Sequence, residues 1–118
     1  MNTFLCARIH DAIAHGTVRR IALAPALVRS RYAERACYAN VEQWTGEHPE
    51  HRAVHGWLLT GVGVYTLHSV VDTGDELLDI TPRPGHDARH LIGFVAESLP
   101  LDGLPPQLID PLAEMETP

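Results

Sequence analysis

Residues 65–82 read YTLHSVVDTGDELLDITP and predict a β-hairpin at the centre of the fold. Two largely apolar runs flank the dipeptide Thr73-Gly74, which is typical of a tight turn. If Asp72 faces Asp75 across this turn, the residue numbers of any two positions that pair across the hairpin add up to the same total. A loop of two residues and a loop of four residues both allow that register, and the register fixes the face on which every side chain lies.

The predicted register brings a histidine and a carboxylate together. His68 on the first strand lies directly opposite Asp79 on the second, on the same sheet face, with Cβ atoms about 5 Å apart. An aspartate that holds a histidine is the orienting half of a catalytic triad. The missing member is a nucleophile, and Cys37 lies upstream in a segment with helical periodicity.

Length and composition limit the class of protein. The chain has 118 residues, of which 45% are apolar, and this predicts one globular domain. It contains no run of 18 uncharged apolar residues, so we expect no transmembrane helix and no membrane partner. The segment from Met1 to Arg8 lacks the basic region that opens a signal peptide. We therefore expect a cytoplasmic protein whose two cysteines are reduced.

Charge is distributed unevenly along the chain. Residues 1–35 carry a balance of +4 and the remainder a balance of −10, which together give the net charge of −6. Phosphate binding requires a basic surface, so this acidic total argues against nucleic acid as a partner. The arginines of the first segment are interpreted as a solvated helix surface.

Periodicity and turn residues predict an α+β fold, with N-terminal helices packed on a three- to four-stranded antiparallel sheet. The expected helices cover residues 3–14 and, with the strongest pattern, residues 30–45. The expected strands cover residues 52–60, 64–71, 76–81 and 90–97. Residues 17–27 are apolar with an arginine pair, and Pro25 interrupts or starts a helix there. We expect a single domain over residues 1–97 and a proline-rich acidic tail over residues 98–118, without a regular element beyond one turn.

The order of these residues resembles a known superfamily. A cysteine on a helix, a histidine on a strand and an aspartate on the next strand is the order of papain-like and transglutaminase-like cysteine enzymes. The phrase from His68 to Val71 followed by ELLDITP at residues 76–82 is similar to the histidine hairpin of transglutaminase-like folds. The wider pattern from Cys37 to Val41, with Gly56-Trp57, resembles small bacterial and phage proteins. The resemblance covers about residues 33–82 and implies a minimal papain-like core.

The chemistry that this resemblance implies needs no cofactor and no metal. Cys37 would attack an amide carbonyl as a thiolate, His68 would transfer the proton, and Asp79 would orient the imidazole. Asn40 is a candidate donor to the oxyanion because it lies one helical turn from the cysteine, and Gln43 is a weaker candidate. Trp57 is mainly expected in the core, although it could also form a wall of the cleft. The leading hypothesis is a small cysteine hydrolase or amidase of the peptidase or glutamine deamidase type, with a peptide or protein substrate.

Two alternatives remain open at this point. Cys37 fits the apolar stripe of its helix, and free cysteines are often buried, so the same fold could serve as a non-catalytic binding domain. Metal binding is the second alternative, because histidines cluster in the chain. They are His48, His51 and His55, and then His86 and His90. Pro49 breaks the first group, and Pro84 and Gly85 adjoin the second, so we expect no metal site.

Overall fold

The computed structural model describes residues 2–61, 63–82 and 92–111. Over these residues the chain forms three helices and six strands. In chain order they are α1 (Asn2–Ala14), β1 (Arg19–Leu23), α2 (Ala26–Arg29), α3 (Cys37–Glu47), β2 (Arg52–Gly61), β3 (Val64–Asp72), β4 (Leu77–Asp79), β5 (Ile92–Ala96) and β6 (Gln107–Ile109). The four expected strands correspond to β2, β3, β4 and β5.

Five of the strands close into a mixed barrel. The order is β2-β5-β1-β4-β3, and β3 pairs again with β2 to complete the ring. β1 runs parallel to β4, whereas the other pairings are antiparallel. The α+β class is therefore correct, but the predicted three- to four-stranded antiparallel sheet is wrong. The unpredicted strand β1 causes the difference, because it bridges β4 and β5 and so closes the sheet.

A sixth strand comes from the segment predicted as a tail. β6 pairs antiparallel with the first residues of β3, and Leu108 is fully buried there. The expectation that this segment holds no regular element is wrong, because the barrel offers β6 a free strand edge. Residues 112–118 lie outside the described part of the chain.

Side chains inside the barrel and on two outer faces form three apolar clusters. The interior cluster contains Ile21, Leu58, Val70, Leu77 and Phe94. One outer cluster lies under α1 and contains Leu5, Ile9, Trp57, Tyr65 and Leu108. The other lies under α3 and contains Ala24, Val41, Val71 and Ile80. The barrel is thus covered by one helix on each of two faces, and the candidate site lies where α3 meets the barrel.

Candidate active site

The hairpin of β3 and β4 has a different register from the predicted one. Asp72 pairs with Leu77, and a four-residue turn over residues 73–76 joins the strands. The predicted pairing of Asp72 with Asp75, and hence the placement of His68 directly opposite Asp79, is wrong by two positions. A shift of two preserves the face of each side chain, because side chains alternate with a period of two. His68 and Asp79 therefore still meet, diagonally.

The contact between these two side chains is buried. His68 Nε2 lies 3.0 Å from Asp79 Oδ1, and the relative exposures of the two residues are 6% and 0%. The same carboxylate oxygen accepts the backbone N–H of Thr81 at 3.2 Å. His68 is two residues from Val70 in β3, and Asp79 is two residues from Leu77 in β4. Side chains two residues apart in a strand point to the same face, so His68 and Asp79 lie at the end of the barrel interior. With Nε2 bound to the carboxylate, Nδ1 is the ring nitrogen that remains for another partner.

Cys37 is the first residue of α3, rather than a residue within a longer helix. The predicted helix over residues 30–45 is wrong at its start, although Ala33 to Ala36 are mostly good helix formers. Arg35 adopts a left-handed backbone conformation with φ of 60°, which ends any continuous helix before the cysteine. The Asn40 side chain fixes this turn by donating to the carbonyl oxygen of Ala33 at 2.8 Å. Tertiary hydrogen bonding thus overrides local propensity.

A gap in the barrel wall gives Cys37 access to His68. β4 pairs with β3 only at Val71 and Asp72, and β6 pairs with β3 only at residues 64–66. β4 and β6 pair with the same edge of β3, which is the edge opposite β2. Residues 67–70 of β3 therefore lie between the part of this edge that pairs with β6 and the part that pairs with β4. The backbone N–H of Leu67 donates to Pro106, and the next N–H on this edge, that of Ser69, lies close enough to Cys37 to lower the pKa of its thiol.

Burial and hydrogen bonding set the charge states of the pair. Burial disfavours the Cys37 thiolate, but a hydrogen bond with His68, the positive charge of His68 and the Ser69 N–H together outweigh it. The pKa of Cys37 is consequently lowered. Burial likewise disfavours the imidazolium, yet hydrogen bonds to Asp79 and Cys37 and their negative charges raise the pKa of His68 to about 9. Both shifts favour a thiolate beside an imidazolium over the neutral pair.

The start of α3 also supplies donors for a developing negative charge. Its N-cap residue is Ala36, and no side chain caps the first turn. The first backbone N–H groups of a helix have no partner within the helix, and they lie at its positive end. The N–H of Cys37 is one of them, and it is adjacent to the sulfur. This arrangement favours the thiolate and can bind an oxyanion formed at a carbonyl under attack.

The three other site residues predicted from sequence do not line this cleft. Both amide protons of Asn40 are used, one by Ala33 and the other by the Thr81 hydroxyl at 3.0 Å, so Asn40 acts as a tether rather than as an oxyanion donor. Gln43 is exposed on α3. Trp57 is fully buried under α1, where its Nε1 donates to Glu97. Because side chains alternate between the two faces along β2, Trp57 lies on the outer face of the barrel.

The cleft in front of Cys37 has a volume of about 680 Å³. Sequence reasoning missed most of its lining, which comes from the turn before α3 and from residues 101–106. The lining includes Arg35, Tyr38, Thr81, Pro82, Leu101, Asp102, Leu104 and Pro106. A left-handed Gly103 turns the chain between the two leucines. The sequence LDGLPP contains this turn signal, but nothing in it indicates which surface the segment covers.

The histidines considered as metal ligands have other contacts. His48 stacks on Trp44 with ring centroids 4.2 Å apart, and His51 accepts a hydrogen bond from Trp44 Nε1. His55 contacts the Tyr38 ring at 5.5 Å. Among the described residues, no group of three His, Cys, Asp or Glu side chains could hold a metal ion. His86 and His90 lie outside the described residues.

Comparison of the chain with family models, with curated proteins and with solved structures finds no match. Over residues 2–61, 63–82 and 92–111, no helix has the length and apolar character needed to cross a bilayer. The site therefore has to be interpreted from its own geometry.

Proposed function

We propose that the chain is a small cysteine hydrolase or amidase with Cys37 as nucleophile, His68 as the proton-transfer group and Asp79 as the residue that orients the imidazole. The observation that carries the proposal is that Cys37 and His68 line the same open cleft, while His68 is hydrogen-bonded to the buried Asp79 at 3.0 Å. A structural cysteine has no need of such an arrangement. The substrate is an amide of a peptide or protein, and the reaction needs no cofactor.

In the first half of the reaction, the Cys37 thiolate attacks the amide carbonyl carbon. The carbonyl electron pair moves to oxygen, and the N–H of Cys37 at the start of α3 stabilises the resulting negative charge. As the tetrahedral species collapses, the C–N bond breaks and the imidazolium of His68 gives its proton to the departing nitrogen. The products are a thioester on Cys37 and a free amine, or ammonia if the substrate is a glutamine side chain.

In the second half, neutral His68 removes a proton from water while the water oxygen attacks the thioester. The C–S bond breaks, the carboxylic acid leaves, and the thiolate–imidazolium pair forms again. Asp79 takes no proton in either half. It holds Nε2 of His68, so that Nδ1 remains directed towards the sulfur, and it stabilises the imidazolium.

Cys6 provides an internal reference for the test. It is 3% exposed, and burial and the charge of Asp110 raise the pKa of its thiol. We expect iodoacetamide at pH 6 to modify Cys37 at least about tenfold faster than Cys6, because only a thiolate reacts well. Mass spectrometry of the digested protein separates the two sites. Both cysteines are free, which is compatible with the reducing cytoplasm that we propose as the location.

The His68→Gln variant completes the test. Removing the imidazole should return Cys37 to ordinary thiol behaviour, so that its modification becomes fast only above about pH 8. Peptide libraries then report turnover as new peptide termini or as released ammonia. If Cys37 reacts no faster than Cys6 at pH 6 and His68→Gln changes nothing, the enzyme proposal fails in favour of the non-catalytic binding domain.

A further inference from the structure

The lining of the cleft combines a cation with an apolar wall. Arg35, two residues before the nucleophile, lines the cleft and is exposed. Among the described residues, no carboxylate lies within ion-pair distance of its guanidinium, whereas Arg8, Arg19 and Arg52 each pair with one. As far as the described part of the chain shows, Arg35 is therefore available to a ligand in the cleft that Cys37 also lines.

The backbone at Arg35 indicates that this placement is not incidental. Its φ of 60° lies in the left-handed region, where a residue with a Cβ is strained and glycine or asparagine is favoured. Strain of this kind persists where the surrounding structure imposes it, and it is concentrated at functional sites. The same turn delivers Cys37 to the first position of α3, so one conformation places both the cation and the thiol at the cleft.

Among the described residues, the lining of the cleft lacks the excess of negative charge that the whole chain carries. The chain carries a net charge of −6, yet the positive end of α3 and Arg35 both face the cleft. Asp102 is the one described acidic residue that lines it. Leu67, Pro82, Leu101, Leu104 and Pro106 supply its apolar surface. Such a cleft suits a ligand with an apolar group and one negative charge.

We propose that Arg35 binds a carboxylate of the substrate, so that the preferred substrates are amides with a carboxylate and an apolar group near the scissile carbonyl. This inference rests on the proposed function, because it assigns the substrate class of the same thiol. Arg35 is thus a specificity-determining residue. Arginine suits this role, since its planar guanidinium can make two parallel hydrogen bonds to one carboxylate.

Two alkylating reagents of nearly equal size test the inference without a known substrate. Iodoacetate is an anion and iodoacetamide is neutral, so the ratio of their rates at Cys37 isolates the effect of charge in the cleft. Arg35→Asn removes the cation while keeping a residue that tolerates positive φ. We expect it to lower the iodoacetate-to-iodoacetamide ratio by about threefold or more at low ionic strength, and the effect should fade at high salt.

Matched variants separate a local effect from a change in net charge. Arg31 is exposed and is not part of the cleft lining, so Arg31→Asn should change the ratio by less than about 1.5-fold because the solvent screens it. Arg35→Lys keeps the charge and should retain most of the ratio. Asp102→Asn removes the opposing charge and should raise the ratio.

Reversible binding is measured in the same assay. We expect 3-phenylpropionate to protect Cys37 from iodoacetamide at lower concentration than 3-phenylpropionamide does, and Arg35→Asn to remove this difference. Equal protection by the two compounds, or equal ratios in Arg35→Asn and Arg31→Asn, would overturn the inference. The ratio can also be measured at pH 9, where an ordinary thiol is largely ionised, so the inference can fail or hold independently of whether Cys37 is activated at pH 6.

Discussion

Gly56 and His68 are cross-strand partners, and the glycine leaves no room for any larger residue. A Cβ built on Gly56 would lie 2.2 Å from the carbonyl oxygen of Val95 and 2.7 Å from Phe94 Cζ. The Val95 oxygen is backbone and cannot move without shifting β5. Strand β2 therefore approaches β5 closely at the level of the imidazole, and the position of His68 depends on that approach.

Gly56→Ala should consequently destabilise the protein by about 1–3 kcal/mol, the usual cost of overpacking. Urea unfolding followed by circular dichroism measures this free energy. Gly46→Ala is the matched control, because a Cβ added to Gly46 in α3 would meet nothing within 4 Å, and alanine should gain roughly 0.5–1 kcal/mol there. Equal stabilities of the two variants would contradict the close approach of the strands.

The pH dependence of turnover should be bell-shaped. Activity rises as Cys37 ionises, with a midpoint below the ordinary thiol range, and falls near pH 9 as His68 loses the proton that the leaving group requires. Asp79 raises the pKa of His68, so Asp79→Asn should move the falling limb to lower pH. It should also move the rising limb to lower pH, because the negative charge of Asp79 raises the pKa of Cys37. Measurement of kcat/KM from pH 4 to pH 10 gives both limbs, and an unchanged falling limb in Asp79→Asn would argue against the orienting role.

Ser69 and Thr81 carry buried hydroxyl groups whose removal should affect stability to different extents. Ser69 Oγ has no hydrogen-bond partner among the described residues, so Ser69→Ala should change the free energy of unfolding by less than about 0.5 kcal/mol. The substitution keeps the backbone N–H that lowers the pKa of Cys37, so the reactivity of the thiol should not change. Thr81→Val removes an acceptor of Asn40 and leaves a buried amide proton unpaired, which costs about 1–3 kcal/mol. Similar losses in both variants would contradict this assignment.

Neighbouring residues of β6 test whether the C-terminal segment belongs to the core. Leu108 is fully buried under α1, whereas Ile109 is 63% exposed. Leu108→Ala should cost about 2–4 kcal/mol through lost burial and a cavity, and Ile109→Ala should cost less than about 0.5 kcal/mol. Deletion of residues 104–118 should therefore be strongly destabilising, although the proline content of this segment predicts a tail without a regular element. Retention of full stability after this deletion would show that β6 contributes little.

The alternation of side chains along each strand is sufficient to predict part of the site. The faces of His68 and Asp79 follow from the period of two along each strand, and that result survives a register error of two residues. The start of α3 at Cys37 could not be predicted in this way. It depends on a side-chain hydrogen bond from Asn40 back to Ala33, which exists only after the turn has folded.

The closed barrel could likewise not be predicted from local sequence patterns. β1 has only five residues, begins with Arg19 and Arg20, and is followed by Pro25, so its sequence resembles a helix start as much as a strand. Its partners β4 and β5 lie more than fifty residues further along the chain. Such pairings are set by long-range closure and not by propensity. Trp57 illustrates the same limit, since its apolar character does not indicate which helix covers it.

The wall of the cleft made by residues 101–106 has a consequence for biosynthesis. Translation is vectorial, so Cys37, His68 and Asp79 all leave the ribosome before this wall and before the strand β6 that anchors it. A nascent chain therefore carries these three side chains before it has the wall that completes the cleft. Completion of the cleft therefore comes after synthesis of the five barrel strands, when residues 101–109 have left the ribosome.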